Sequence, residues 1–108
     1  HLHAWYRREA ENYLPARLVK INLSFGDAVE VPKLFLGKMS ASWGNCDGKS
    51  RIRINSLIMR EPLEAIDFVL AHELCHLRYF QHDENFYGLL SEIMPDWQER
   101  ERMLTKRS

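Results

Sequence analysis

Pro62-Leu63-Glu64-Ala65-Ile66-Asp67-Phe68-Val69-Leu70-Ala71-His72-Glu73-Leu74-Cys75-His76-Leu77-Arg78-Tyr79-Phe80 is the stretch whose reading decides the fold. Pro62 suits the first position of a helix, and no Gly or Pro interrupts the eighteen residues after it, so a central helix is expected from Leu63 to about Phe80. At about 100° per residue, Leu63, Ile66, Leu70, Leu74 and Leu77 fall into one stripe, and His72 and His76 lie roughly opposite. The leucines are expected to pack a core and the histidines to face a cleft. His72-Glu73-Leu74-Cys75-His76 is an H-E-x-x-H pattern, which on a helix sends two imidazoles from one face within reach of a single ion. Glu73 projects beside them, placed to take a proton from a water activated by that ion rather than to ligate it.

A catalytic zinc takes three protein ligands and keeps one position open, and His82 is the candidate third ligand. A continued helix would rotate His82 away from His76, so the helix must end or bend near Phe80 and Gln81. The expected cofactor is one Zn²⁺ per chain, held by His72, His76 and His82, with Glu73 as the catalytic base.

Upstream, Leu14, Leu18, Ile21 and Phe25 keep the helical period, predicting a helix over 4–25 with Gly26 as its stop. Pro15 would divide that helix or begin its second part, and Val19, Ile21, Leu23 and Phe25 also alternate as a strand would. From Val29 to Asn55 short apolar runs are broken by Pro32, Gly37, Gly44 and Gly48, the texture of a small antiparallel three-stranded sheet, with Asp47-Gly48 its clearest turn. Ile52 and Ile54 against Arg51, Arg53 and Asn55 mark a strand with one buried and one polar face. Downstream, Phe86, Leu89, Leu90 and Ile93 predict a helix over 84–94, and after Pro95 the residues Trp97 and Leu104 suggest a closing one. The fold class expected is α+β.

At 108 residues and 45% apolar composition, one core and one domain spanning 1–108 are expected. Fifteen basic residues balance fifteen acidic ones, which argues against nucleic acid as the main partner. Arg100, Arg102, Lys106 and Arg107 alternate with Glu99 and Glu101, as on a solvated helix face. No apolar run approaches the roughly 20 residues that cross a bilayer, so no membrane partner is expected and the reading is a cytoplasmic monomer. Cys46 and Cys75 are too few for a disulfide framework. Cys75 is read as a packing residue, whereas Cys46 is a candidate for approach to the metal from the sheet.

His72-Glu73-Leu74-Cys75-His76-Leu77-Arg78, Gln81-His82, Phe86-Tyr87 and Met94-Pro95-Asp96-Trp97 together resemble the YgjP-like metallopeptidase family. Upstream the resemblance takes in Ser42-Trp43-Gly44-Asn45-Cys46, Ile52-Arg53-Ile54-Asn55, Leu57-Ile58-Met59, Pro62 and Ile66-Asp67. SprT-like and WLM zincins are similar at greater distance. The resemblance implies a zincin-like fold: a helix, a three-stranded sheet, an active-site helix and a third histidine ligand, with His72, His76 and His82 on the metal and Glu73 as base. Ser42 replaces the family's usual Arg, Gln81 its Asn and Asp83 its Ser. Family members also tend to carry a further N-terminal region, and this chain, which starts at His1, reads as a fragment or a processed form.

The leading expectation is a zinc metallopeptidase whose peptide or protein substrate lies along Arg51–Asn55 as an added strand. The motif specifies an activated water and not the bond it attacks, so hydrolysis of nucleotides or another non-peptide substrate is a second reading, with Arg51, Arg53 and Arg78 as its basic residues. A third is a non-catalytic, zinc-stabilised binding module with the fourth metal position filled, for instance by Cys46. Arg78 and Tyr79 are candidates to stabilise an oxyanion, and Asp67 and Glu84 to orient a ligand imidazole. Trp43 is read as packing on the central helix, and His1 and His3 are assigned no role.

Overall fold

The computed structural model describes residues 2–27, 29–37, 43–47 and 50–104. Ser42, Gly48, Lys106, Arg107, His1 and the side chain of His3 lie outside the described residues. Helix α1 spans Leu2–Leu23, strands β1 Lys33–Gly37, β2 Gly44–Asp47 and β3 Arg51–Asn55, and a short 3-10 helix Ser56–Arg60. Helices α2 Leu63–Arg78, α3 Glu84–Ile93 and α4 Trp97–Met103 complete the mixed α+β architecture.

Helix α1 runs unbroken through Pro15. An interior proline forfeits a hydrogen bond and costs about 3 kcal/mol, an amount offset by the burial of Ala10, Leu14, Leu18 and Ile21 along one side. The strand-like alternation in the same segment is corrected, since Val19 and Leu23 stand exposed while Ile21 is buried. Gly26 takes a φ of 70°, the left-handed conformation that ends the segment and that a side chain would strain.

The sheet is mixed rather than antiparallel. Its order is β1-β3-β2, with β3 parallel to β1 and antiparallel to β2. Alternation reports which side of a strand is buried and says nothing about the direction of its partner. Because β2 occupies one edge of β3, the earlier strand β1 pairs along the other edge and runs parallel to it. The register aligns Leu34, Ile52 and Cys46 in one row and Leu36, Ile54 and Gly44 in the next. These rows face α2, with Ile52 and Ile54 wholly buried, while Arg51 and Arg53 point to the far side.

Helix α2 is buried from Ala65 to Ala71 and again from Glu73 to Cys75, because α1, the sheet, α3 and α4 all pack on it. Ile66, Leu70 and Leu74 lie in the core as their spacing requires, but Leu63, in the first turn, is exposed. Pro62 is the N-cap rather than the first helical residue, its carbonyl accepting from the amides of Ala65 and Ile66. Across the α1–α2 interface Asp67 accepts from Arg17 Nη2 at 2.6 Å, Arg17 Nε at 3.2 Å and the Tyr13 hydroxyl at 3.1 Å. Among the described residues no helix is long and apolar enough to cross a membrane.

Candidate metal centre

His72 and His76 stand one turn apart on α2. The helix stops at Arg78, and Tyr79 turns extended (φ −134°, ψ 111°) with its amide still donating to Cys75 O at 2.8 Å. Four residues later Asp83 caps α3, its carboxylate accepting from the amides of Asn85 at 3.0 Å and Phe86 at 3.1 Å. The reversal between these two points swings His82 back over α2, as the end of the helix near Phe80 and Gln81 required. Asp is among the strongest N-cap residues, so the reversal is held by the residue that follows His82.

One ring nitrogen from each of His72, His76 and His82 lies within 4.8 Å of the others. The ring centroids are 4.9 Å apart for His72 and His76, 5.2 Å for His72 and His82, and 4.5 Å for His76 and His82. Phe86, wholly buried, sits beneath all three at 5.2, 4.6 and 4.9 Å. The sequence marks Phe86 as apolar at helical spacing but not as the floor of the triad, because that contact depends on the reversal at 79–83.

The His76 Nδ1 lies 3.2 Å from the carbonyl oxygen of Phe80. A carbonyl only accepts, so the contact requires the proton on Nδ1 and leaves the Nε2 lone pair for an ion. His72 Nδ1 lies 3.1 Å from Glu73 Oε2. These two oxygens occupy the places foreseen for Asp67 and Glu84. Asp67 is instead taken by Arg17 and Tyr13 on the α1 side, and Glu84 is exposed in the first turn of α3. A backbone carbonyl such as that of Phe80 leaves no trace in residue identity, which is why it escaped the sequence.

Burial, followed by the neighbouring His72 ring, draws the His76 imidazole below its ordinary pKa, which favours the neutral form that donates a lone pair. Three clustered imidazole nitrogens, with His82 on the solvent side, suit a borderline-soft divalent ion such as zinc with an open position. Glu73 is buried beside them at 5% exposure. Gly44 of β2 packs so closely that a Cβ there would stand 2.9 Å from Ile54 Cδ1 and 3.4 Å from Glu73 Cγ.

Three sequence expectations are corrected here. Cys46 is not among the clustered ligand atoms. Its Sγ contacts Asp47 O at 3.3 Å, and burial with the charges of Glu73 and Asp47 pushes the thiol up to about 11. Cys75 packs in the core as expected, its thiol raised to about 12 by burial. Arg78 is not available as an oxyanion partner. It donates to both carboxylate oxygens of Asp27 at 2.8 Å, to Asn22 Oδ1 at 3.0 Å and to Leu74 O at 3.0 Å, with its guanidinium 4.0 Å from the centre of the Phe25 ring. Third, β3 is the central strand with partners on both sides, so Arg51–Asn55 offers no edge to a peptide. Trp43 does pack against the core, and it also walls a cavity that reaches His72 and Glu73.

The family model for the YgjP-like metallopeptidase domain matches residues 1–107. The chain belongs to the YgjP-like metallopeptidase family. Among solved structures the YgjP-like domain is similar to the metallopeptidase zymogen abylysin of Pyrococcus abyssi, with a TM-score of 0.72 and 20% identity over 81% of this chain and 87% of that one. At that identity the likeness shows the fold. No curated protein sequence matches the chain. A larger cavity of about 580 Å³, between α1 and β1, is lined by Leu18, Val31 and Phe35 among others and contains none of the site residues.

Proposed function

We propose that this YgjP-like domain is a zinc-dependent peptidase in which His72, His76 and His82 hold the ion and Glu73 is the general base. The observation that carries the reading is the convergence of three imidazoles from two separate segments beside the buried carboxylate of Glu73. When bound there, zinc supplies Lewis acidity, polarising a carbonyl and making water acidic enough to react near neutral pH. Glu73 takes the proton from the attacking water and delivers it to the departing amine. His72 Nδ1 at 3.1 Å holds the Glu73 carboxylate in place, and Phe86 keeps the three rings at fixed spacing.

With β3 closed on both sides, the strand that can receive a peptide is β2, an edge strand whose Gly44 touches Glu73. A peptide added there gains main-chain hydrogen bonds and runs past the base. The nucleotide reading loses its basic residues. Arg51 pairs with Asp47 at 2.7 Å, Arg53 lies on the sheet face away from α2, and Arg78 is fastened to Asp27. The binding-module reading loses Cys46 as its fourth ligand.

The test is Glu73→Gln. The expected outcome is unchanged zinc content with peptide turnover reduced at least about a hundredfold, the low end for loss of general acid–base catalysis. Turnover equal to that of the parent would refute the role of Glu73.

A further inference from the structure

Beside the imidazoles lies a cavity of about 170 Å³. That is below the roughly 300–1,000 Å³ of sites that enclose whole small ligands, and it suits a single side chain. Its walls are Trp43, just before β2, Phe68, from α2, and Leu104, just after α4, and His72 and Glu73 line it as well. One further charged group lines it, Glu101 on α4. Glu101 is exposed, and among the described residues its carboxylate has no hydrogen bond or ion pair. Phe68, by contrast, is packed in place, 4% exposed and stacked on Trp97 at 6.3 Å.

Apolar and aromatic walls with a lone carboxylate match a side chain that has an apolar stem and a cationic head. An acidic side chain would meet both Glu101 and Glu73, and a short or purely apolar one would leave the Glu101 carboxylate unused. We infer that this cavity selects a lysine or arginine adjoining the scissile bond, with Trp43, Phe68 and Leu104 holding the stem and Glu101 pairing with the head. The inference rests on the peptidase reading and names the substrate class for it. The YgjP-like domain is then a peptidase that cuts beside basic residues.

The experiment has two readouts. Unstructured peptides are digested with the full chain and the cut sites located by mass spectrometry, and a matched pair with lysine or norleucine at the position flanking the cut is then compared. The expected kcat/KM favours lysine about two- to fivefold, the scale of one exposed ion pair. That ratio falls to near unity in Glu101→Gln, recovers in part in Glu101→Asp, and turns toward a glutamate peptide in Glu101→Arg. The second readout is binding of the same labelled pair to Glu73→Gln, measured by fluorescence anisotropy, with the same preference expected and its loss on adding Glu101→Gln. Cleavage with no basic preference, or a preference indifferent to Glu101, overturns the inference and leaves the peptidase standing. A Glu101-dependent binding preference with no cleavage by the parent overturns the peptidase and keeps the cavity's selectivity. Neither binding nor cleavage overturns both.

Discussion

Gly44 shows how finely the base is placed. Its missing side chain is what lets β2 approach Glu73, since an added methyl would lie 2.9 Å from Ile54 Cδ1, 3.2 Å from the Arg53 carbonyl and 3.4 Å from Glu73 Cγ. The carbonyl cannot yield without disturbing the β2–β3 ladder, so the strand or the glutamate must move. Gly44→Ala is expected to keep its metal and lose about tenfold or more in kcat, as small misplacements of a catalytic group do. Single-turnover kinetics alongside metal analysis would check this, and parental kcat would show that the approach has no catalytic meaning. At this scale the sequence was highly legible for His72, Glu73 and His76, whose spacing is a local property of a helix. It was silent on Phe86, Gly44 and the Phe80 carbonyl, whose parts in the site arise only from tertiary approach.

Arg78 illustrates what an element boundary does. Its guanidinium fastens the C-terminal turn of α2 to the last turn of α1 through Asn22 and to the segment after it through Asp27, and the Arg78 hydrogen bond holds the Asp27 carboxyl down at about 2. A carboxylate with a depressed folded pKa contributes stability above its unfolded value near 3.8, and that contribution is lost as pH falls through about 2. Asp27 is more than a third exposed, which limits the contribution to about 1 kcal/mol. Asp27→Asn is therefore expected to be less stable than the parent at pH 6, with the difference shrinking below pH 4. Urea titrations at several pH values would check it, and a pH-independent difference would contradict it. The ends of α2 and α3 were readable to within two residues because His82 needed the reversal and Phe86, Leu89, Leu90 and Ile93 keep the helical period. The role of Arg78 was misread because its partners are far away in sequence.

Across the whole molecule the chain encloses its motif helix between α1 on one side and the sheet on another, while α3 and α4 supply the floor and wall of the site. The α1–α2 contact is fixed by Asp67 with Arg17 and Tyr13, away from the imidazoles. Asp67→Ala leaves a guanidinium and a hydroxyl without their acceptor in a largely buried place. It is expected to cost about 2–3 kcal/mol in urea unfolding while the folded fraction keeps its zinc. Loss of metal without loss of stability would instead make Asp67 a partner of the ligands. Fold class and helices were legible because periodicity and capping are local, but strand order was not. Nothing in Val29–Asn55 says that β3 lies in the middle, and the placing of the substrate edge on Arg51–Asn55 failed for that reason. The central claim is the three-histidine centre, and elemental analysis of the purified chain beside His72→Ala, His76→Ala and His82→Ala tests it most directly. The account predicts about one zinc per chain in the parent, lost in each folded variant. A folded parent that takes up no metal on reconstitution, or a His82→Ala variant that keeps its full zinc, would contradict it.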